Sequence, residues 1–433
     1  MIESMSTGQP DHLGLLQRMR SEPRWMALWA AMFGFMLDAM DVLLYVFALQ
    51  SIRAEFGLSN AQAGLISSAT LIASAAGGIA AGVLSDRIGR RRMLIYTILL
   101  YSLASGGAAT SRSLDQLIFW RSLVGLGLGG EWSAGAVLVA ESWPAKHRAK
   151  AIGLMQSGWA LGYMLAAGVS AVILPRFGWR MLFLAGLFPA LLTLGIRRKV
   201  TEPEVWTKRT QRAPLRNLFR PPLGRRTLVA TALATAVLFA YWGLFTWLPG
   251  FLSAPLAEGG AGLGIVRTSG WIFTMQIGSL AGYLAFGFLA DRFGRRPAFL
   301  LYVIGAAIVT PIYGSLPRWA GAHAEIGLLA LGPVVGFLGT GYFSLFGTLL
   351  AELFPTSVRG AGQGFCYNFG RALSAFAPCA VGAMADRSGL GSALALNSGF
   401  FLLAAVLIFA LPETRRVELN STGLEQTPDL VVR

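Results

Sequence analysis

Apolar residues along this chain gather into long runs, not into the alternation of a strand or the narrow stripe of a surface helix. A helix crosses a bilayer with about 20 mostly apolar residues, and about twelve stretches have that character. They lie near 25–48, 62–84, 93–110, 117–140, 150–174, 180–196, 228–252, 269–290, 298–315, 325–350, 361–384 and 392–411. Most charged residues fall in the joins and at the two ends. The pattern predicts an all-α membrane protein of 12 transmembrane helices.

Composition agrees. Of 433 residues, 55% are hydrophobic and 13% are charged, whereas a soluble domain carries roughly 25% charge. Disorder is excluded by the apolar content, and a collagen-like chain by the lack of a three-residue glycine period. The 53 glycines suit helices that pack closely in a bilayer. Net charge is +15. On a soluble chain that would suggest nucleic acid. Here the basic residues sit in short joins and form no long arm, so the expected surroundings are lipid and no nucleic-acid partner is expected. Cys366 and Cys379 lie 13 residues apart in one run, roughly 20 Å along a helix and too far for a disulfide. The polar residues 1–24 and the long first run do not read as a secretory signal.

Loop charge predicts orientation. With the N-terminus inside, 27 of the 36 basic residues fall on the inner side and 7 on the outer, while Arg121 and Arg371 lie within spans. Both ends of the chain are therefore expected in the cytoplasm. The longest basic stretch follows the sixth run and contains Pro203, Pro214, Pro221 and Pro222, which reads as a linker with at most a short surface helix. The expected organisation is a tail at 1–24, a six-helix half at 25–199, a linker at 200–226, a second half at 227–412 and a tail at 413–433.

Two motifs occur twice. Residues 82–91 read Gly-Val-Leu-Ser-Asp-Arg-Ile-Gly-Arg-Arg, and 287–296 read Gly-Phe-Leu-Ala-Asp-Arg-Phe-Gly-Arg-Arg, an offset of 205. Glu141-Ser-Trp-Pro144 with Arg148 matches Glu352-Leu-Phe-Pro355 with Arg359, an offset of 211. Two motif pairs at nearly one offset imply two homologous halves, as in transporters whose site lies between repeats near the midplane.

The duplicated Asp-Arg-x-Gly-Arg-Arg loop resembles the signature loop of the major facilitator superfamily, a likeness covering about residues 25–412. Asp38-Ala-Met-Asp41 resembles a span 1 motif of the aromatic-acid and sialate proton symporters. Arg121 with the Gly-rich run to Glu131-Trp132, Glu141-Ser-Trp-Pro144 and Phe177-Gly178-Trp179-Arg180 resemble the sialate/lactate group. Asn368-Phe-Gly-Arg371 is similar to the Asn-x-x-Arg of metabolite:proton symporters, and Pro412-Glu413-Thr414 to the end of the last helix in sugar porters. Bacterial sialate carriers of this group often have two additional central spans, which this chain lacks, so a smaller carboxylate stands beside sialate as the expected substrate.

The resemblance implies a cytoplasmic latch of Asp86, Arg87, Arg91, Glu141 and Arg148 with Asp291, Arg292, Glu352 and Arg359. Its charge pairs would hold one conformation closed and separate when the carrier opens inward. Arginine at inner helix ends would also follow from topology alone, but topology does not explain a repeated Asp flanked by Gly.

Ionisable groups within spans are costly and need a partner or a function. Asp38 and Asp41 share a helix face. Two crowded carboxylates in a poorly hydrated site disfavour each other's charge, which makes one of them a candidate proton carrier. Asp41 and Arg121 lie at matching depths and could pair, and protonation would break that pair. A static pair that fixes helix register is the other reading. Glu131 is either a second proton site or a partner of an inner Arg. The glycines at 125, 127, 129 and 130 read as helix packing.

Arg371 is the candidate substrate ligand, because a guanidinium fork matches a carboxylate with two parallel hydrogen bonds. Asn368, one turn away, could add a donor. A resting pair between Arg371 and Asp38 or Asp41 is the competing reading. Gln156, Trp159 and Tyr163 share one helix face, and Gln156 also matches a sugar-contacting Gln of the sugar porters. Tyr241, Trp242, Gln276 and Tyr342 complete the candidate lining, although aromatic residues in spans are more often packing.

The three His residues are scattered, so no metal cluster is expected. There is no phosphate loop or nucleophile elbow, and no cofactor or enzyme activity is expected. The leading expectation is a monomeric, proton-coupled importer of a small organic acid in the cell membrane. An exporter by proton antiport and a sugar:proton symporter are the alternatives.

Overall fold

The structure is a computed structural model and describes residues 23–88, 90–129, 131–187, 215–355 and 358–414. Helices cover the described part of every predicted span. In the first half they are α1 (Pro23–Phe56), α2 (Asn60–Ile88), α3 (Arg90–Ala108), α4 (Leu114–Leu128), α5 (Glu131–Ser142) and α6 (Ala145–Ala185). The second half holds α7 (Leu223–Phe245), α8 (Leu248–Ser253), α9 (Ile265–Phe293), α10 (Arg295–Trp319), α11 (Ala324–Thr340) and α12 (Phe343–Leu353). It ends with α13 (Arg359–Ser374), α14 (Ala377–Ser388), α15 (Leu390–Leu394) and α16 (Leu396–Leu407). Several spans are thus two helices in line, with α4 and α5 forming the fourth and α13 and α14 the eleventh. Helix α6 carries spans five and six, turning at Gly178, whose φ of 74° only glycine adopts readily.

Among the described residues, eight helical stretches are long and apolar enough to cross a membrane. The other predicted spans fall short for local reasons. Helix α3 opens with three arginines, and the fourth span breaks near Gly129. Of the sixth, predicted at 180–196, only residues 180–187 are described. Helix α13 carries Arg359, Gln363, Asn368 and Arg371, all buried, because it faces the interior of the bundle. Outward faces are apolar: Leu103, Ile326, Val406 and Phe409 are exposed, as a lipid-facing surface requires.

Close packing rests on glycine. A Cβ at Gly125 or Gly129 would overlap backbone of α2, at Gly158 or Gly162 backbone of α1, and at Gly278 backbone of α11. Gly127 sits against Tyr101. The packing reading of 125, 127 and 129 agrees with this; Gly130 lies outside the described residues.

The repeat is visible in detail. Arg148 Nε donates to the Ala140 carbonyl at 3.2 Å, and Arg359 Nε to the Ala351 carbonyl at 3.0 Å. Both residues of one pair lie 211 positions from those of the other. The halves meet where α6 packs on α9 and where α2 packs on α13 and α14. Of the linker, residues 200–214 lie outside the description. A short 3-10 turn, Leu215–Phe219, follows and buries Leu218 before α7 begins.

Candidate functional site

A small cavity lies where the halves meet. Its walls are Phe35 from α1, Gln156 and Trp159 from α6, Leu238, Tyr241 and Trp242 from α7, Tyr283 from α9, Phe343 from α12, and Tyr367 and Arg371 from α13. The free volume is about 30 Å³, room for one or two waters, so the walls are drawn together.

The walls form an aromatic box. Trp159 Nε1 donates to the Tyr241 hydroxyl across the interface between halves. Ring centroids are 5.0 Å apart for Phe35 and Trp159, 6.0 Å for Trp159 and Trp242, and 5.1 Å for Tyr241 and Phe343. The buried indole nitrogen of Trp242 has no partner among the described residues. Arg371 supplies the positive charge. Its Nη1 donates to Ser74 Oγ of α2 at 2.8 Å, and its guanidinium lies 4.8 Å from the Tyr367 ring centroid. Arg371 Nε is buried with no partner among the described residues. Among the described residues no carboxylate lies within 4.0 Å of it, so the resting pair with Asp38 or Asp41 does not form. A buried guanidinium without a carboxylate, ringed by flat apolar walls, is chemically suited to a small organic anion.

A second polar group is buried inside the first half. Asp41 Oδ1 accepts from Ser105 Oγ at 2.8 Å, and Oδ2 has no partner among the described residues. Arg121 is its neighbouring cation, but the two are not in ion-pair contact. The Arg121 guanidinium instead lies 4.8 Å from the Tyr45 ring centroid and 5.9 Å from that of Phe183. Arg121 Nε and Nη1 are buried and have no hydrogen-bond partner among the described residues. The expected pair is therefore a near approach, with aromatic faces taking up the charge. Asp38 is buried on the same helix. Neither Asp lines the central cavity.

At the end of the bundle carrying both described termini, Glu352 collects charge from both halves. Arg148 Nη1 donates to its Oε1 at 3.3 Å, Arg295 Nη2 to the same oxygen at 3.2 Å, and Thr414 Oγ1 to Oε2 at 2.7 Å. Arg295 Nη1 also meets Asp291 Oδ1 at 2.8 Å. The carboxylate of Glu413 accepts from the backbone N–H groups of Arg295 and Arg296 at 2.9 and 3.0 Å. At the other end, Asp386 of α14 accepts from the backbone N–H groups of Asn60 and Ala61, each at 3.0 Å, and from Asn60 Nδ2 at 2.8 Å. That carboxylate caps the N-terminus of α2 from the opposite half. Glu55 joins Arg180 at 2.7 Å and accepts from Trp179 Nε1 at 2.6 Å, which gives the Phe177–Arg180 motif a clamp on the end of α1.

Several sequence-predicted residues lie elsewhere. Tyr163 donates to the Phe245 carbonyl at 3.1 Å, tying the halves rather than lining the cavity. Tyr342 donates to the Val237 carbonyl at 3.4 Å within the second half. Gln276 is buried away from the cavity. Asn368 faces Gly78 of α2, one turn from Arg371, and does not line the cavity. Arg292 is exposed over Phe293, outside the Glu352 cluster. Arg359 holds the Ala351 carbonyl. The side chains of Asp86, Arg87, Arg91, Glu131 and Glu141 lie outside the described residues. Phe35, Leu238, Tyr283, Phe343 and Tyr367 line the cavity without having been singled out. As ordinary apolar or aromatic span residues they carry no motif.

Two repeats of membrane helices closing on a mid-depth cavity, with charged contacts at both ends, have the architecture of a secondary transporter. The family model of the Major Facilitator Superfamily matches residues 31–266 and again 259–432, and the chain belongs to that superfamily. A Cupriavidus pinatubonensis protein named "Probable 4-methylmuconolactone transporter" is 36% identical over 408 residues, covering 91% of this chain and 92% of its own. The cis,cis-muconate transport protein of Acinetobacter baylyi is 30% identical over 388 residues, covering 87% and 91%. The crystal structure of a D-xylose-proton symporter superposes with a TM-score of 0.73 at 20% identity, covering 90% of this chain and 99% of that one. The protein is a multi-pass cell-membrane transporter of small molecules, and not an enzyme.

Proposed function

We propose that the protein imports a small organic acid together with protons by alternating access, acting as a monomer. The observation that carries this reading is Arg371, a buried guanidinium without a carboxylate partner among the described residues, set in an aromatic cavity between the halves. The names of the muconate and methylmuconolactone relatives agree with a carboxylate substrate. In this reading both tails, 1–24 and 413–433, are cytoplasmic, as the loop charges favour. The halves at 25–199 and 227–412 rock about the cavity, and the 200–226 linker joins them.

Arg371 binds the substrate carboxylate through its fork, replacing its bond to Ser74. Trp159, Tyr241 and Trp242 sandwich the carbon skeleton, and Gln156 supplies an amide. Asp41 takes up the proton. It is buried, it has one oxygen without a donor, and Arg121 is close but not bound, so a proton there costs no ion pair. Its gain or loss changes the pull on Arg121, which links α1 to α4 and shifts the balance between conformations. Glu352 with Arg148 closes the cytoplasmic end, and Asp386 on α2 closes the outer end. The test is Arg371→Lys in reconstituted uptake of organic acids. The charge is kept and the fork is lost, so apparent affinity falls roughly tenfold or more. Wild-type affinity in that variant refutes the bidentate site.

A further inference from the structure

A second cavity, about 550 Å³ in volume, opens at the end of the bundle opposite the termini. It lies between the C-terminal end of α1 and the segment after α8, so both halves contribute walls. Arg53 lies 18 residues along α1 from Phe35, roughly 27 Å from the central cavity. Phe47, Leu58 and Ile265 give the cavity an apolar side, while Gln50, Arg53 and Glu258 give it a polar one.

The polar side is built around Arg53. Its Nη1 donates to Gln50 Oε1 at 2.8 Å, and its Nε reaches the Leu58 carbonyl at 3.4 Å. These bonds hold the guanidinium in place. Its only carboxylate contact among the described residues is Glu258, at 3.8 Å. That separation is beyond a good charge-assisted hydrogen bond, which runs at about 2.7–2.9 Å. The Glu258 side chain is 54% exposed against 15% for Arg53. A fixed cation is therefore paired loosely with a solvated, movable carboxylate. The central cavity has no room for a substrate in this conformation. An anion arriving from this end meets Arg53 first, because Gln50 Nε2 on the Gly250 carbonyl and Tyr163 on Phe245 tie the halves together there.

We infer that this vestibule is a second binding site for a small organic carboxylate, held by Arg53 against the apolar wall, with Glu258 as the competitor that the ligand displaces. The inference rests on the organic-acid reading of the substrate and adds a site that the central cavity does not supply. Glu258 serves as a built-in stand-in for the ligand carboxylate, so its displacement also releases a tie between the halves.

The experiment uses the full-length protein in detergent, with 4-fluorobenzoate as probe and fluorine NMR line broadening as readout. Arg371→Ala is the background, so that the central site is crippled. Saturable broadening should persist there. Adding Arg53→Gln should weaken it roughly tenfold or more. Adding Glu258→Gln should tighten it severalfold, since the competitor is gone. Absence of binding in the background, indifference to Arg53→Gln, or equal weakening by both substitutions overturns the site. The last outcome marks Arg53–Glu258 as a closing ion pair only. The Glu258→Gln arm still decides the matter if Arg53→Gln fails to fold. Binding that tracks Arg53 in a protein that takes up no organic acid would keep the vestibule and overturn the transport reading instead.

Discussion

Glu352→Gln offers the sharpest perturbation of the conformational balance. The carboxylate is buried and receives Arg148 from the first half and Arg295 and Thr414 from the second. Breaking a buried pair by removing one partner costs about 3–5 kcal/mol. Only part of that bears on the contact between halves, because Arg295 keeps Asp291 and Arg148 keeps the Ala140 carbonyl. The arm that crosses is the Arg148 bond. One charge-assisted bond is worth about 2 kcal/mol, which shifts a two-state equilibrium roughly 30-fold. Removing the acid also leaves Arg148 and Arg295 facing each other without the charge that separated them. The change should favour the conformation open at the terminus-bearing end. Spin labels at Lys146 of the first half and at Arg220, an exposed residue of the linker turn that packs on α7 and α13, report the distance by double electron–electron resonance, with Cys366 and Cys379 first replaced by Ser. A longer-distance population should dominate in the variant. An unchanged distribution, or one shifted to shorter distances, refutes the view that Glu352 holds this end closed.

Other variants probe the remaining parts. Asp386→Asn weakens the cap on α2, and labels at Arg112 and Ala257 should then separate at the opposite end; an unchanged distance means that the cap is not a latch. Gly129→Ala puts a methyl group onto the Ser74 carbonyl and should cost about 1–3 kcal/mol, seen as a lower melting temperature in detergent. Gly168→Ala, which meets nothing within 4 Å, is its control and should melt as the wild type does. Asp41→Asn should abolish accumulation driven by a pH gradient while sparing substrate exchange, and accumulation that survives assigns the proton elsewhere.

Much of the fold was legible in the sequence because a bilayer imposes a length on every helix and a sign on every loop. The repeat was legible because two motifs recur at nearly the same spacing, 205 and 211 residues. The polarity of span eleven is the exception that carries information. Its Arg359, Gln363, Asn368 and Arg371 are buried, so it faces inward. The site was legible by helix face but not by depth. Trp159 and Tyr163 share a face, as their spacing says, yet Tyr163 lies about one turn further along and meets Phe245 rather than the cavity. Asn368 errs the same way in the other direction, reaching Gly78. Asp386 is a lone acid whose partners are backbone N–H groups 325 and 326 residues away, and no local pattern announces such a contact. The same holds for Ser74, which meets Arg371 across the interface between halves.

Proton-coupled uptake of an organic acid is tested most directly in proteoliposomes, by recording the external pH and the internal acid together. Radiolabelled lactate, benzoate, cis,cis-muconate and a neutral sugar are each added under an imposed inward proton gradient. The account predicts that at least one of the acids accumulates, that the exterior becomes alkaline as it does so, and that the sugar does neither. Uptake of the neutral sugar alone, with no change in external pH, contradicts both the anion site at Arg371 and the coupling to protons.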